Sequence, residues 1–433
     1  MKPVQFKQLD ETLYHEQLEN GLNVYILPKE GFNKTYATFT TKYGSIDQRF
    51  IPLNGQEEIQ VPDGIAHFLE HKMFEDEQGD VFQDFSKQGA SANAFTSFTR
   101  TAYLFSSTTN VEKNLETLID FVQHPYFTDE SVEKEKGIIN QEITMYDDNP
   151  DWRSYFGVIN NMYKTHPVKI DIAGTIKSIS HITKELLYTC YETFYHPSNM
   201  LLFVVGPVVP EEIMGKIREN QRKKEFTSPK PIKRFFEDEP AGVATKKEVI
   251  TMPVQTPKCL VGFKEKDATR QGKELLTREL SISILLDMMF GQSSASYQAI
   301  YEEGLIDESF SFDYSAEEGF GFTIIGGDTK HPEKLTEKIK EVIEVFKQTT
   351  LSEELVKRTI KKKIGSFLRS LNSPEYIANQ FTRYQFNDMH LFDVVPTLEN
   401  LTASGLQEVL ADHFEFDRFT VCQVMAEGYA ESK

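Results

Sequence analysis

The chain has 433 residues and a net charge of -19, with 39% hydrophobic, 12% aromatic and 26% charged residues. That length predicts two or more domains, each with a sizeable core. The acidic balance argues against nucleic acid as a partner and mildly for neutral or basic substrates, and no apolar run is long enough to predict a membrane span.

The N-terminus, Met1 to Phe6, has no apolar signal core. Asn20-Gly21 is a turn signal, and a strand is predicted over 22–27. A second strand is predicted over 36–43, closed by Gly44-Ser45. A loop leads to Pro62-Asp63-Gly64-Ile65-Ala66-His67-Phe68-Leu69-Glu70-His71, with Asp63 as the expected N-cap. Ile65, Phe68, Leu69 and Met73 recur at helical spacing. On a helix, His67 and His71 stand at i and i+4, one turn apart on one face, where two imidazoles can hold one divalent ion. Glu70 lies beside them, able to take a proton from water at that ion. The pattern is H-x-x-E-H, the reverse of H-E-x-x-H.

Helix is expected over 81–87. The β-rich stretch 91–106 predicts a strand or tight strand pair beside the histidines. Helices follow over 111–122 and 129–146, the second closed by Asp147-Asp148-Asn149-Pro150. Ile138, Ile139, Ile143 and Met145 are expected to line one side of that second helix. Glu135 and Glu142, two turns apart, share a face. One of them can complete a three-ligand zinc site while the other holds a histidine from behind.

Helix over 183–194 and a buried apolar strand over 200–205 come next, then helix from Pro210 to about 223. Residues 226–245 are Pro-rich and charged, the expected linker between a domain over 1–225 and another over 246–433. Strand character resumes over 247–263. Ile182-Thr183, Leu187, Phe194 and the strand at Met200 are echoed by Leu401-Thr402, Leu406, Phe414 and Phe419 to Val424. The echo predicts two copies of one α+β fold. The second copy has no H-x-x-E-H, and His331, His390 and His413 are scattered. Cys190, Cys259 and Cys422 are odd in number, far apart and without C-x-x-C spacing; they predict reduced core thiols in a cytoplasmic protein.

H-x-x-E-H followed after about seventy residues by E-x6-E resembles the pitrilysin family of zinc peptidases, which includes insulin-degrading enzyme and the mitochondrial processing peptidases. Residues 64–74 match its G-x-A-H-x-x-E-H-x-x-F, Asn93-Ala94-Phe95-Thr96 its N-A-x-T strand, and Tyr195-His196-Pro197-Ser198-Asn199-Met200 its Y-x-P-x-N-M segment. The resemblance runs over nearly the whole chain and is strongest to half-length bacterial, YmfH-like members. It implies two homologous domains of the processing-peptidase type, each a mostly antiparallel sheet packed with helices. It implies zinc held by His67, His71 and Glu142, with Glu70 as general base and Glu135 as the acid behind the site. It implies an edge strand that pairs with the substrate backbone. Asn93 and Ala94 are expected nearest the peptide, with Phe95 beside them.

One segment departs from the family. Its L-R-x-x-x-G-L-x-Y supplies an Arg that holds substrate and a Tyr whose hydroxyl bonds the oxyanion. The corresponding stretch here is Ala299 to Asp307, with Ile300 or Tyr301 at the Arg position and Asp307 at the Tyr position. The resemblance therefore implies an endopeptidase that acts on unstructured peptides in a chamber and borrows Arg and Tyr from a paralogous subunit in a heterodimer. A homodimer is the other assembly open to a half-length chain. Arg383 with Tyr384, or Tyr314, are candidate substitutes within the chain. The alternative function is a weakly active or non-catalytic structural or peptide-binding subunit.

Overall fold

The computed structural model describes residues 1–77, 79–228 and 230–429. Its strands are β1 (Lys2–Phe6), β2 (Glu11–Gln17), β3 (Asn23–Pro28), β4 (Thr35–Thr41), the short hairpins β5 (Arg49–Phe50) with β6 (Ile59–Gln60) and β7 (Glu75–Asp76) with β8 (Gly79–Asp80), then β9 (Ala90–Thr96), β10 (Thr101–Ser107) and β11 (Met200–Gly206). The second half adds β12 (Lys247–Thr251), β13 (Lys258–Lys264), β14 (Ser311–Glu317), β15 (Phe320–Asp328) and β16 (Phe419–Met425). They build a seven-stranded sheet, β1-β2-β3-β11-β4-β10-β9, and a five-stranded sheet, β12-β16-β13-β15-β14. Each sheet has one parallel pair, β3 with β11 and β12 with β16, and is otherwise antiparallel. The fold class is thus α+β, as the sequence predicts.

The two sheets repeat one topology. β3, β11, β4, β10 and β9 correspond in order to β12, β16, β13, β15 and β14. The echo in the sequence sits at the same place in both. Helix Lys184–Phe194 is capped by Thr183, whose side chain accepts from the Leu186 amide at 3.3 Å. Helix Ala403–His413 is capped by Thr402, which accepts from the Gly405 amide at 3.1 Å. Each helix delivers the chain to a strand, β11 or β16, whose apolar residues are almost wholly buried because sheet or helix covers both faces.

By contact the chain divides into two units, and neither is continuous. The first holds Met1–Ile143, Asp171–Phe236 and Ser370–Phe386; the second holds Thr144–Ile170, Glu237–Arg369 and the chain from Asn387 on. A sequence division at a single linker does not show this, because the two halves exchange a helix. Helix Pro150–Met162 packs on β13 and β16 of the second unit, and helix Pro374–Phe386 packs on β4 and β11 of the first. Helix Pro150–Met162 carries its own local start signal. Asn149 accepts from the Asp151 and Trp152 amides, and Pro150 stands at the first helical position. The helix approaches β16 closely at Gly157, where an added Cβ would lie 2.6 Å from Cys422 Sγ.

Among the described residues no helix or strand lies between Arg222 and Lys247; Pro229 falls outside them. The segment is nonetheless pinned. On the first unit, the Ile51 amide donates to Lys233 O, the Phe235 amide to Arg49 O, and Arg234 Nε to Asp47 Oδ1 at 2.7 Å. On the second, Glu239 accepts from the amides of Lys164, Thr165 and His166 and from Lys264 Nζ. All three cysteines are free and buried, and no described helix is long and apolar enough to cross a membrane.

Candidate metal centre

The H-x-x-E-H stretch forms helix Ile65–Lys72. Ile65, Phe68, Leu69 and Met73 are buried as the periodicity requires. The cap differs from expectation. Asp63 makes no capping bond; Gly64 stands at the N-cap in the left-handed region, with φ 86°. A Cβ there would lie 2.3 Å from the Ala173 carbonyl oxygen. The chain crosses so closely at this point that only glycine fits, and the left-handed turn replaces the Asx cap.

The helix places His67 and His71 with ring centroids 4.5 Å apart. Helix Asp129–Asp147 brings Glu142 to both, with Oε2 3.7 Å from His67 Nε2 and 3.6 Å from His71 Nε2. These three are the one group of potential metal ligands among the described residues. Ligand atoms bound at zinc distances stand roughly 3.3 Å apart around a tetrahedral ion; the two distances to Glu142 are close to that, and all three ligand atoms lie within 4.8 Å of one another. Two imidazoles and one carboxylate are a zinc-type donor set with one position left open; calcium and magnesium sites are built from oxygens. The residues fit a zinc ion. His67 is held neutral, the form that binds metal: burial, then the neighbouring His71, push it down to about 4. Burial alone would lower His71 too, but the bond to Glu135 and the charges of Glu70 and Glu142 outweigh it and raise it. That bond, His71 Nδ1 to Glu135 Oε1 at 3.0 Å, orients the ring from behind.

Glu70 is 8% exposed, on the same helix and outside the ligand triangle. Burial pushes its carboxyl up to about 7, against the lowering effects of His71 and of a hydrogen bond from Thr96. Thr96 Oγ1 donates to Glu70 Oε2 at 3.0 Å. In the sequence Thr96 is only one position of a strand motif; the fold brings it to Glu70.

Ile138 and Met145 do not line the packed side of their helix. Ile139 and Ile143 are buried, whereas Ile138 is 45% and Met145 59% exposed. The helix turns Ile139 and Ile143 inward and Glu135 and Glu142 toward the histidines, and leaves Ile138 and Met145 exposed.

Asn93, Ala94 and Phe95 lie on β9, an edge of the first sheet. Ala94 pairs with Tyr103, and Thr96 with Thr101, so Ala94 shares the sheet face of Thr96 and Glu70. Asn93 and Phe95 alternate to the other face. Asn93 Oδ1 accepts from the Ala94 amide at 2.9 Å.

Within the chain, the candidate substitutes for Arg and Tyr do not face Glu70. Helix Pro374–Phe386, which carries Arg383 and Tyr384, packs Phe381 on Tyr25 and Phe203. Strand alternation puts these on the sheet face opposite Tyr103, and so opposite Glu70. Tyr314 is committed elsewhere: its hydroxyl donates to Glu265 Oε2 at 2.8 Å. By register Tyr314 occupies in β14 the place of Thr96 in β9. The second unit therefore has a closed cluster where the first has its open site. Glu265 is 2% exposed and takes two bonds from Arg278. Burial alone would raise its carboxyl, but His413 and Arg278 hold it well below the usual range. His413 Nε2 bonds Thr323. Ile300 is fully buried, Tyr301 is exposed on helix Ala295–Glu302, and Asp307 Oδ1 accepts from the Ser309 amide and hydroxyl.

Two α+β units of one topology, of which only the first carries an H-x-x-E-H helix and a distant glutamate, define a metallopeptidase-type architecture. Residues 56–176 match the model for insulinase (peptidase family M16), and residues 181–363 the model for the peptidase M16 inactive domain. The chain is 65% identical over 425 residues to the uncharacterized zinc protease YmfH of Bacillus subtilis, covering 98% of this chain and 99% of that one. A crystal structure of an M16-like peptidase from Alicyclobacillus acidocaldarius superposes with a TM-score of 0.93 at 42% identity, over 96% of this chain and 99% of that one. The periplasmic protease PqqL of Escherichia coli shares the fold at a TM-score of 0.77 and 15% identity; this chain is matched over 98% of its length and covers 48% of PqqL. The chain belongs to peptidase family M16.

Proposed function

We propose that this chain is the metal-bearing subunit of a zinc endopeptidase that hydrolyses unstructured peptides. The observation that carries the reading is the convergence of His67, His71 and Glu142 beside a buried Glu70. Zinc bound by these three residues supplies a Lewis acid for the scissile carbonyl and makes water acidic enough to deprotonate near pH 7. Glu70 accepts that proton on Oε1, since Thr96 holds Oε2, and passes it to the leaving amine. Glu135 fixes the His71 ring. The peptide adds as a strand along β9, and its carbonyl takes the Ala94 amide from Asn93 Oδ1. Neighbouring backbone at Phe95 continues the pairing, which reads main chain rather than sequence. The reading places the chain in the cytoplasm, where three free buried thiols remain reduced.

The electrophilic half of the site is supplied by a paralogous subunit bearing L-R-x-x-x-G-L-x-Y and no H-x-x-E-H. Support comes from buried Ile300 and turn-forming Asp307 at the two positions that would hold Arg and Tyr. An oxyanion donor is worth about 10²–10³-fold in kcat. The test assays zinc content and turnover of a quenched peptide library, first with this chain alone and then with the paralogue added. Activity that rises on mixing, and falls when the partner's Tyr becomes Phe, establishes the heteromer; full activity alone overturns it. The same buried Ile300 and Asp307 favour a second reading, a zinc-containing peptide-binding subunit. Peptide binding without cleavage under every mixture would select it.

Thr96→Val should lower kcat about 10–100-fold with KM unchanged, because a hydrogen bond to a charged group is worth about 1.5–3 kcal/mol. Thr96→Ser keeps the hydroxyl and should restore the rate. Equal losses in both variants, or a change confined to KM, would remove Thr96 from the positioning of Glu70.

A further inference from the structure

The second unit keeps the helix pair that carries the ligands in the first. Residues 65–74 align without a gap with residues 281–290, and Phe68, Leu69, Met73 and Phe74 fall on Ile284, Leu285, Met289 and Phe290, all buried. Helix Ile65–Lys72 packs on β9; helix Gly272–Phe290, which holds the second stretch, packs on β14, the counterpart of β9. Helix Asp129–Asp147 aligns in the same way with helix Glu353–Ser370. Thr128 stands before the first, its hydroxyl accepting from the Ser131 amide at 3.1 Å; Ser352 stands before the second, accepting from the Leu355 amide at 3.4 Å. Val132 falls on Val356 and Ile143 on Phe367, all buried, and the helices that follow begin at Pro150 and Pro374.

This correspondence puts Ser283 at the place of His67, Asp287 at that of His71 and Ser366 at that of Glu142. The place of Glu70 is taken by Leu286, which is buried. Lys362 and Lys363 stand where the first unit has Ile138 and Ile139. Side-chain contacts follow the same correspondence. In the first unit the second helix of the pair reaches the first at His67 and His71. In the second unit it reaches Ser283 and Asp287: Lys362 Nζ donates to Asp287 Oδ1 at 2.7 Å, and Lys363 Nζ donates to Ser283 Oγ. Two hydroxyls and a carboxylate are not a zinc-type donor set, and the described residues hold no second group of potential metal ligands. The Asp287 side chain, only 16% exposed, still requires a positive partner.

We propose that the Lys362–Lys363 pair is the second unit's resident cation: its amino groups stand where zinc stands in the first unit and tie helix Gly272–Phe290 to helix Glu353–Ser370. The first unit joins its helix pair through a metal that can also do chemistry; the second joins the same pair through side chains that cannot leave. Burial pushes the Lys363 amine down while Asp287, Glu279 and Asp313 pull it up. Lys362, half exposed, carries the charge opposite Asp287. The inference rests on zinc at His67, His71 and Glu142, and it gives that ion a structural role beside its chemical one.

The experiment has two parts. Hydrogen exchange followed by mass spectrometry compares zinc-loaded wild type, chelated wild type and zinc-loaded Lys362→Met/Lys363→Met. Chelation should speed exchange about 10-fold or more over residues 65–72 and 129–143, and leave 272–290 and 353–370 unchanged. The double variant should do the reverse and keep its zinc, and Lys362→Arg should exchange as wild type does. Where the double variant does not fold, Lys362→Met alone is measured in the same way. Zinc is then counted in a variant given the first unit's own residues: Ser283→His, Asp287→His, Ser366→Glu, Lys362→Ile and Lys363→Ile. It should hold two zinc ions per chain against one in wild type. Unchanged exchange in either helix pair overturns the inference and leaves the metal reading standing. So does a single zinc per chain in the five-fold variant when it folds; when it does not fold, the exchange data decide alone. Wild type that takes up no zinc overturns the metal reading and the inference with it.

Discussion

Glu70→Gln lowers peptide hydrolysis by about 10²–10⁴-fold and leaves the zinc in place. The amide keeps the shape of the carboxylate but cannot accept the proton of the attacking water. It lies on the ligand helix, yet His67, His71 and Glu142 form the ligand triangle without it. The fold has prepared this residue for proton transfer by burying it: at about 7, the carboxyl is poised near neutral pH rather than in the ordinary carboxylate range. Stability should be unchanged or higher, because the substitution removes a buried ionisable group. The check pairs atomic absorption with single-turnover hydrolysis on the same preparation. Loss of zinc in Glu70→Gln would make Glu70 a ligand and the assignment of the base wrong.

Glu142→Gln should empty the site. Its Oε2 is the atom that faces both histidine Nε2 atoms, so one substitution removes the only anionic ligand and leaves two imidazoles 4.5 Å apart between ring centroids. Glu135→Gln removes only the acceptor behind His71 and should weaken zinc by about 10–100-fold. Competition against a chelator ranks the two, and the expected order is a far larger loss in Glu142→Gln. Full occupancy in Glu142→Gln, or the reverse order, would exchange the roles of the two glutamates. In wild type, chelation should abolish hydrolysis and added zinc restore it.

Much of the site was legible because its signals are local. Four residues separate His67 from His71, and seven separate Glu135 from Glu142; on helices, both spacings put the pair on one face. Gly64 was less legible. Its left-handed turn follows from the Ala173 carbonyl pressing against it, over one hundred residues away in sequence. Asp63 was the better cap on local grounds and lost to that contact. Ile138 and Met145 fail for a related reason. An apolar pattern of 138, 139, 143 and 145 spreads around more than one face of a helix, and the pattern does not say which of them the rest of the fold covers.

The sequence by itself determined the helix that carries His67, Glu70 and His71, the repeat of a Thr-capped helix and apolar strand in each half, and the absence of a second H-x-x-E-H. Each of these is a matter of spacing along the backbone. Only the tertiary structure decided that helix Pro150–Met162 completes the second unit and Pro374–Phe386 the first, and that β9 is an edge with Thr96 bonded to Glu70. It also decided that Arg383, Tyr384 and Tyr314 are turned away from Glu70 or already bonded. The physical reason is that a stripe or a strand specifies its own geometry through local periodicity. What covers it, and which polar atom reaches it, depends on chain segments tens to hundreds of residues away that no local pattern names.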